Sequence, residues 1–436
     1  MLHIIAFVLL WLVLIRNAVL QHPFWIFILY ELVYFLNPAS AWWADALPNV
    51  SYSFICVSLM FAFLLLYAAK TSSNLPKLTH SPHLLLSYLL GIYFIVATQY
   101  AAVPQAHERA MIYFIKLLLI ISLAYKLIHK RTHLEFCLKA YCLGAAYIGY
   151  TCHVVGRNSA GRIEGVGTVD APESNVIAAT IAPALFVSFY YLWRQSKILS
   201  RVWFLGCGAL IANGLILINS RGAFIATIAG GSYFIVKIFR SKNLVQRKKP
   251  FLGLILVVCL GLVSVIDQTM LSRFETIYST ELTSDKETGA TRVYFWLSAI
   301  EMAKDYPLGQ GYLGFDHHLP YYIESHIDTG GKANRSVHST WFQALTEIGL
   351  HGLITFVILI SFCIHSLSLC AMRAAGNQDE KGYFFILMIK SMLITYLISI
   401  SFVNRLTAEF LYWMVLFCAC AHNIYIVNDE NRTNLN

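Results

Sequence analysis

The chain has 436 residues, 58% of them hydrophobic and only 13% charged, with a mean hydropathy of +0.62. A water-soluble protein carries about a quarter charged residues, so this chain lacks the polar side chains to coat a soluble particle. A polytopic membrane bundle replaces the roughly three domains that length alone suggests. The formal charge of +9 does not indicate nucleic acid, because the basic residues are scattered between apolar runs in the pattern of a membrane topology signal.

Apolar runs of spanning length, about 17–25 residues, recur along the chain. They run Ser51 to Ala69, Pro82 to Ala101, Arg109 to Ile128, Leu134 to Val155, Ser174 to Trp193, and Val202 to Ile218. Gly222 to Phe239, Phe251 to Ile266, Gly349 to Met372, Tyr383 to Phe402 and Leu406 to Val427 follow. Near the start, Leu2 to Ile15 and Phe24 to Leu36 are shorter. Phe24 to Leu36 is expected to span, and Leu2 to Ile15 is open between a full span and a partial segment. The expected fold is an all-α polytopic membrane protein of about twelve transmembrane helices.

Basic residues orient the bundle. Lys70 with Lys77, then Lys126 with Lys130 and Arg131, then Arg194 with Lys197 and Arg201 occupy alternate connections. The strongest basic cluster runs from Lys237 to Lys249, and Arg373 and Lys381 complete the series. These connections are expected on the cytoplasmic side. The same alternation puts the one long hydrophilic segment, Asp267 to Ile348, outside as a large periplasmic loop containing helices at Thr291 to Asp305 and Ser339 to Glu347. The expected organisation is therefore an N-terminal transmembrane bundle over 1–266, a periplasmic catalytic loop over 267–348 and C-terminal transmembrane helices over 349–436. No cleavable signal peptide is expected, because a basic leader is missing. All ten cysteines lie within or beside apolar runs, which does not support a disulfide framework.

Three strings carry residues suited to chemistry. Arg221, in Asn219-Ser220-Arg221-Gly222, stands between two apolar helices. A cation near lipid implies a cavity or an anionic partner, or else a side chain snorkelling to the headgroups. Ser220 is placed to cap the following helix, whose free N–H groups favour anions. Arg292 opens an amphipathic helix with Trp296, Ala299 and Ala303 on one face, and Pro307-Leu308-Gly309-Gln310-Gly311 follows. Those glycines permit close backbone approach, for a phosphate or simply for a compact loop. His338, followed by Ser339, precedes a helix leading into the membrane, and its ordinary pKa near 6.5 suits it to moving a proton at neutral pH. A structural histidine at a helix start is the bland alternative.

Two further groups resemble metal sites. Cys418-Ala419-Cys420-Ala421-His422 lies in an apolar helix, where positions two apart do not share a face, so packing is expected. Asp316-His317-His318 with His326 and Asp328 has no spacing that defines a coordination geometry.

Together these strings resemble the O-antigen ligase and O-antigen polymerase superfamily of bacterial membrane glycosyltransferases. The family pattern is met by Arg221-Gly222, by Arg292 with Trp296, by Pro307 to Gly311, and by His338 followed by Glu347, Gly349 and Gly352. Arg162 followed by Pro172 and Asn175, and Pro23-Phe24 with Asn37-Pro38, fit more loosely and resemble the ligase-like branch associated with exosortase systems. Two departures are Ser339, where many members have Asn, and Asn175 preceded by Glu173-Ser174 rather than by Pro.

The resemblance implies transfer of a glycan from undecaprenyl diphosphate to an acceptor hydroxyl, such as that of lipid A-core, on the periplasmic face of the bacterial inner membrane. Arg221, Arg292 and Arg162 would hold the donor diphosphate, and His338 would act as general base. Ser220, Gly222, Trp296, Gly309, Gly311, Ser339, Glu347 and Asn175 would support them. The implied reaction inverts the anomeric carbon and needs neither metal nor cofactor. Its partners are the lipid-linked donor, a glycolipid or glycan acceptor and membrane lipid, with no nucleic acid. A polysaccharide polymerase or a protein O-oligosaccharyltransferase would use the same donor. A lipid or polysaccharide flippase is the non-enzymatic alternative, although transporters usually show paired repeats and charged groups near the midplane.

Overall fold

The computed structural model describes residues 2–70, 75–158, 163–168, 170, 173–241, 289–324, 327 and 334–427. The expected span Phe251 to Ile266, the first part of the long loop, Arg162, Pro172, Cys259, His326, Asp328 and the tail from Asn428 lie outside these residues. The described part is helical: α1 (Leu2–Leu20), α2 (Phe24–Leu36), α3 (Tyr52–Lys70), α4 (Pro82–Ala97), α5 (Pro104–Leu127), α6 (Arg131–Val155), α7 (Ser174–Ile181) and α8 (Ala184–Arg194). Next come α9 (Ile198–Ile218), α10 (Arg221–Arg240), α11 (Gly289–Asp305), α12 (Gly314–Tyr322), α13 (Thr340–Gly376), α14 (Glu380–Ile400) and α15 (Glu409–His422).

Among the described residues, nine helices are long and apolar enough to cross a membrane, with α7 and α8 counted as one. Pro183 separates those two, because its ring cannot continue the helical hydrogen bonding. The first helix, left open by the sequence, has spanning length, whereas the second, expected to span, is short. The 19-residue α1 has spanning length and exposes Leu9, Leu12 and Leu20. The 13-residue α2 is too short to be counted among the nine and is buried from Phe27 to Phe35. Together α2 and α15 form the centre of the bundle. Phe410 through Ala421 are all essentially inaccessible, and Trp413 packs edge-on against Tyr34 at 4.9 Å between ring centroids. The expected span from Leu406 begins instead at Glu409, because 401–408 forms a connection between α14 and α15. α6 meets α9 through small residues: a Cβ on Gly149 would lie 2.2 Å from the Leu210 carbonyl oxygen.

The connections at one end of the bundle bond to one another. Lys126 donates to Pro76 O at 3.2 Å, Arg131 pairs with Asp379 at 2.9 Å, and Arg194 pairs with Glu380 at 2.7 Å. These are the connections whose basic residues alternate along the sequence. At the other end, Asn37 Nδ2 donates to Gly167 O at 3.2 Å and Ala102 N to Gln310 O at 2.9 Å.

The described part of the long hydrophilic segment is folded around its own small core. Phe295, Ala299 and Met302 of α11 pack with Phe315, Leu319 and Val337. This corrects the expected face of α11: the buried stripe runs through Phe295, Ala299 and Met302, while Trp296 and Ala303 are only half-buried. Spacings of i, i+4 and i+7 place those three side chains on one side.

Candidate functional site

Three of the sequence strings converge on the short connection between α14 and α15. Arg292 Nη1 donates to the Phe402 carbonyl oxygen at 3.1 Å. Gly222, directly after Arg221, packs so closely on the Phe402 ring that a Cβ there would lie 3.0 Å from Phe402 Cδ2. Two residues on, Asn404 Oδ1 accepts from Ser339 N at 3.0 Å. Both arginines and His338 are half-buried.

His338 has a left-handed backbone with φ of 51°. A residue with a Cβ adopts that conformation at a cost of about 1–2 kcal/mol, so neighbouring bonds must hold it. The groups on either side are both held: Trp296 Nε1 donates to Val337 O at 3.1 Å, and Asn404 receives the N–H of Ser339. The Thr340 hydroxyl donates to Val403 O at 2.8 Å and accepts from Arg405 N at 3.0 Å. Phe295 lies beside the imidazole at 6.4 Å between ring centroids. Strained backbone conformations of this kind cluster at functional sites.

Asp316 completes the surroundings of His338. Burial pushes its carboxyl above the ordinary value, opposed by the Ser336 hydroxyl bond and by the charge of the nearby His338 imidazole. The Ser336 hydroxyl donates to Asp316 Oδ2 at 3.1 Å. Its neighbour His318 turns instead toward Gln310 Oε1, at 3.3 Å, and the Tyr306 ring. The two residues therefore face different surroundings.

The glycines of 307–311 interlock with a break in α13. Ile348 and Gly349 leave the helical conformation, with Gly349 at φ of 72°. Carbonyls that an unbroken helix would satisfy internally accept from the turn instead: Gln310 N donates to Thr346 O at 2.8 Å and Gly311 N to Glu347 O at 2.9 Å. In return Leu350 N donates to Pro307 O at 3.0 Å. A Cβ on Gly309 would lie 2.5 Å from Gly349 N, so only glycine fits between the strings. The other side of the turn is fastened to α5, where His107 Nδ1 accepts from Tyr312 N at 2.9 Å. Gly309 and Gly311 thus serve backbone packing, and Glu347 belongs to the same joint: its Oε1 accepts from Gln343 Nε2 at 3.0 Å.

The remaining expected residues take plainer positions. Ser220 occupies the N-cap position of α10 and is buried, but its side chain makes no capping hydrogen bond, contrary to expectation. Asn175 is exposed in the first turn of α7. Arg162 lies outside the described residues. Cys418 and Cys420 are fully buried with free thiols, as packing predicts.

Several residues at this end escaped the sequence reading. Arg157 donates to Leu217 O at 2.9 Å and Ile216 O at 2.6 Å, closing the C-terminal turn of α9 just before Arg221. Arg405 pairs with Asp170 at 3.0 Å and donates to its backbone carbonyl at 2.6 Å. Asp170 also accepts from Tyr34 OH at 2.5 Å and from Glu409 N at 2.8 Å. Burial opposes its charge, yet Arg405 and these bonds hold its pKa below the ordinary carboxylate value. No local pattern marks Arg157, Asp170 or Arg405, because their partners lie far away in the sequence.

Residues 206–357 match a family model described as O-Antigen ligase, a stretch that contains Arg221, Arg292, the glycine turn, His338 and the break at Gly349. The chain carries an O-antigen ligase domain. This match and the nine apolar helices among the described residues support a multi-pass membrane protein, and the family matched by residues 206–357 is one of glycan ligases. No curated protein matches the chain. The O-antigen ligase match runs from within α9 to about the middle of α13, and the connection bearing Phe402 and Asn404 lies beyond it.

Proposed function

We propose that this protein transfers a glycan from undecaprenyl diphosphate to an acceptor hydroxyl, with lipid A-core as the first acceptor to test, on the periplasmic face of the inner membrane. The observation that carries the reading is the convergence of the Arg221-Gly222 helix start, Arg292 and the His338 segment on Phe402 and Asn404.

In this reading the acceptor oxygen attacks the anomeric carbon in line with the diphosphate, whose glycosidic C–O bond breaks with inversion. The acceptor proton passes to His338, a step worth roughly 10²–10⁴-fold in rate. Arg221 and Arg292 take the charge on the departing diphosphate through charge-assisted hydrogen bonds. Such fixed donors contribute a few kcal/mol each where charge develops. Fixing Arg292 on a backbone carbonyl before substrate arrives reduces the reorganisation left for the reaction. The diphosphate already activates the sugar, so no nucleotide is consumed.

Reconstitution in vesicles with a defined undecaprenyl diphosphate glycan and alternative acceptors tests the proposal, with products identified by mass. A covalent acceptor–glycan product is expected. Movement of intact donor across the bilayer without any covalent product would overturn the reading in favour of a flippase, and donor-to-donor products alone would favour a polymerase.

A further inference from the structure

At the other end of the bundle, three imidazoles meet. His22 lies in the turn between α1 and α2, His129 in the connection between α5 and α6, and His133 in the first turn of α6. Their ring centroids are 4.4 Å (His22 to His133), 5.0 Å (His22 to His129) and 5.0 Å (His129 to His133) apart. One ligating nitrogen from each lies within 4.8 Å of the others. The thirteen-residue α2 separates this cluster from Asn37, so it stands about 20 Å along the helix from that end.

We propose that His22, His129 and His133 bind one divalent transition-metal ion of the zinc class, which clasps the α1–α2 turn to the α5–α6 connection.

Hydrogen-bonding state supports this. His22 Nε2 and His129 Nδ1 are buried with no partner among the described residues, and unsatisfied buried polar atoms call for an explanation such as an ion. His133 Nδ1 lies 3.2 Å from the Leu127 carbonyl, so it carries the proton and leaves the lone pair on Nε2. A backbone carbonyl fixing the far nitrogen is the usual support for a metal-bound histidine. Burial, adjoining imidazoles and Lys130 hold His22 down at about 3, and burial, His129 and Lys130 hold His133 at about 4. Neutral rings have the lone pairs that a metal needs.

Chemistry selects the ion. Three imidazoles suit zinc, copper, iron or nickel, whereas magnesium and calcium require oxygen ligands. Zinc–imidazole bonds of about 2.0–2.1 Å require the rings to draw inward from their present spacing, with water as a fourth ligand. Two contributions oppose binding. Lys130 repels the cation, and ligation through His22 Nε2 moves that ring's proton to Nδ1, giving up the 3.2 Å contact from Phe24 N–H. Phe24 stacked on His133 at 4.2 Å and Tyr67 set edge-on to His22 at 4.7 Å wall the cluster.

The test uses full-length, tag-free protein in detergent, stripped with a chelator and then titrated with Zn²⁺ or Co²⁺ alone. One zinc per chain is expected by elemental analysis, together with cobalt absorption bands of a low-coordinate nitrogen site. His22→Gln and His133→Gln should each weaken zinc binding at least tenfold. Should either variant fail to fold, acylation of histidines in the unaltered chain, mapped by mass spectrometry, decides. Zinc should then protect His22, His129 and His133 together. Failure of the unaltered chain to retain zinc, zinc retained equally by both variants, or no protection of the three would overturn the proposal. None of these readouts depends on glycan transfer.

Discussion

The guanidinium of Arg292 is bonded to the backbone carbonyl of Phe402 across 110 positions of sequence, at 3.1 Å. The same Phe402 presents its ring to Gly222. One residue thus links α10 to the helix at Arg292, although it lies beyond the region that the family model matches. The two cationic strings are both held by Phe402, whose own side chain carries no charge.

Arg292→Lys should therefore fail nearly as badly as Arg292→Ala. Lysine keeps the charge but lacks the planar fork that can hold a carbonyl and a phosphate oxygen together. A loss of roughly 10²–10³-fold in transfer is expected for Arg292→Ala, with membrane insertion unchanged. Initial rates over a range of donor concentrations provide the check, and a lysine variant with full activity would reject the fork argument.

His338→Ala should reduce transfer by about 10²–10⁴-fold. Asp316→Asn removes the carboxylate that accepts from the Ser336 hydroxyl at 3.1 Å beside the His338 segment and should also lower transfer. Initial rates for the two variants test this, and full activity in Asp316→Asn would remove Asp316 from the account.

Gly349→Ala is expected to destabilise the protein by about 3 kcal/mol or more, since it combines a strained φ of 72° with a Cβ 2.4 Å from Pro307 O. Gly231→Ala, in α10 with open space around it, is the matched control and should be neutral or mildly stabilising. Thermal unfolding in detergent compares them. Equal melting temperatures would show that the turn and the break in α13 do not depend on each other.

Asp170→Ala leaves Arg405 buried without its counter-charge, a change that typically costs about 3–5 kcal/mol. In the intact protein the folded pKa of Asp170 is lowered. Its stabilising contribution is therefore fully present above the unfolded value of about 3.9 and is lost as pH falls through the lower folded value. Unfolding measured from pH 6 downward should show an acid-induced loss that Asp170→Asn blunts. A variant with an unchanged acid profile would exclude this pair as the cause.

Spanning helices and the order of the motifs were legible in the amino-acid sequence because both depend on neighbours along the chain. An apolar run of sufficient length commits the backbone to a helix, since every N–H and C=O must be paired where water is excluded. Alternation of basic residues along the chain groups the connections that meet at one end. Even the break between Glu347 and Gly349 was written as the end of one helix and the start of a span. What local pattern does not encode is which distant segments meet. The Pro307–Gly311 turn reads as a phosphate loop or a packing loop until its N–H groups are found on the Thr346 and Glu347 carbonyls. Asp170 and Arg405 lie 235 positions apart, and His22 is over 100 residues from His129. Such contacts follow from the way the helices pack, and tertiary structure alone decided them.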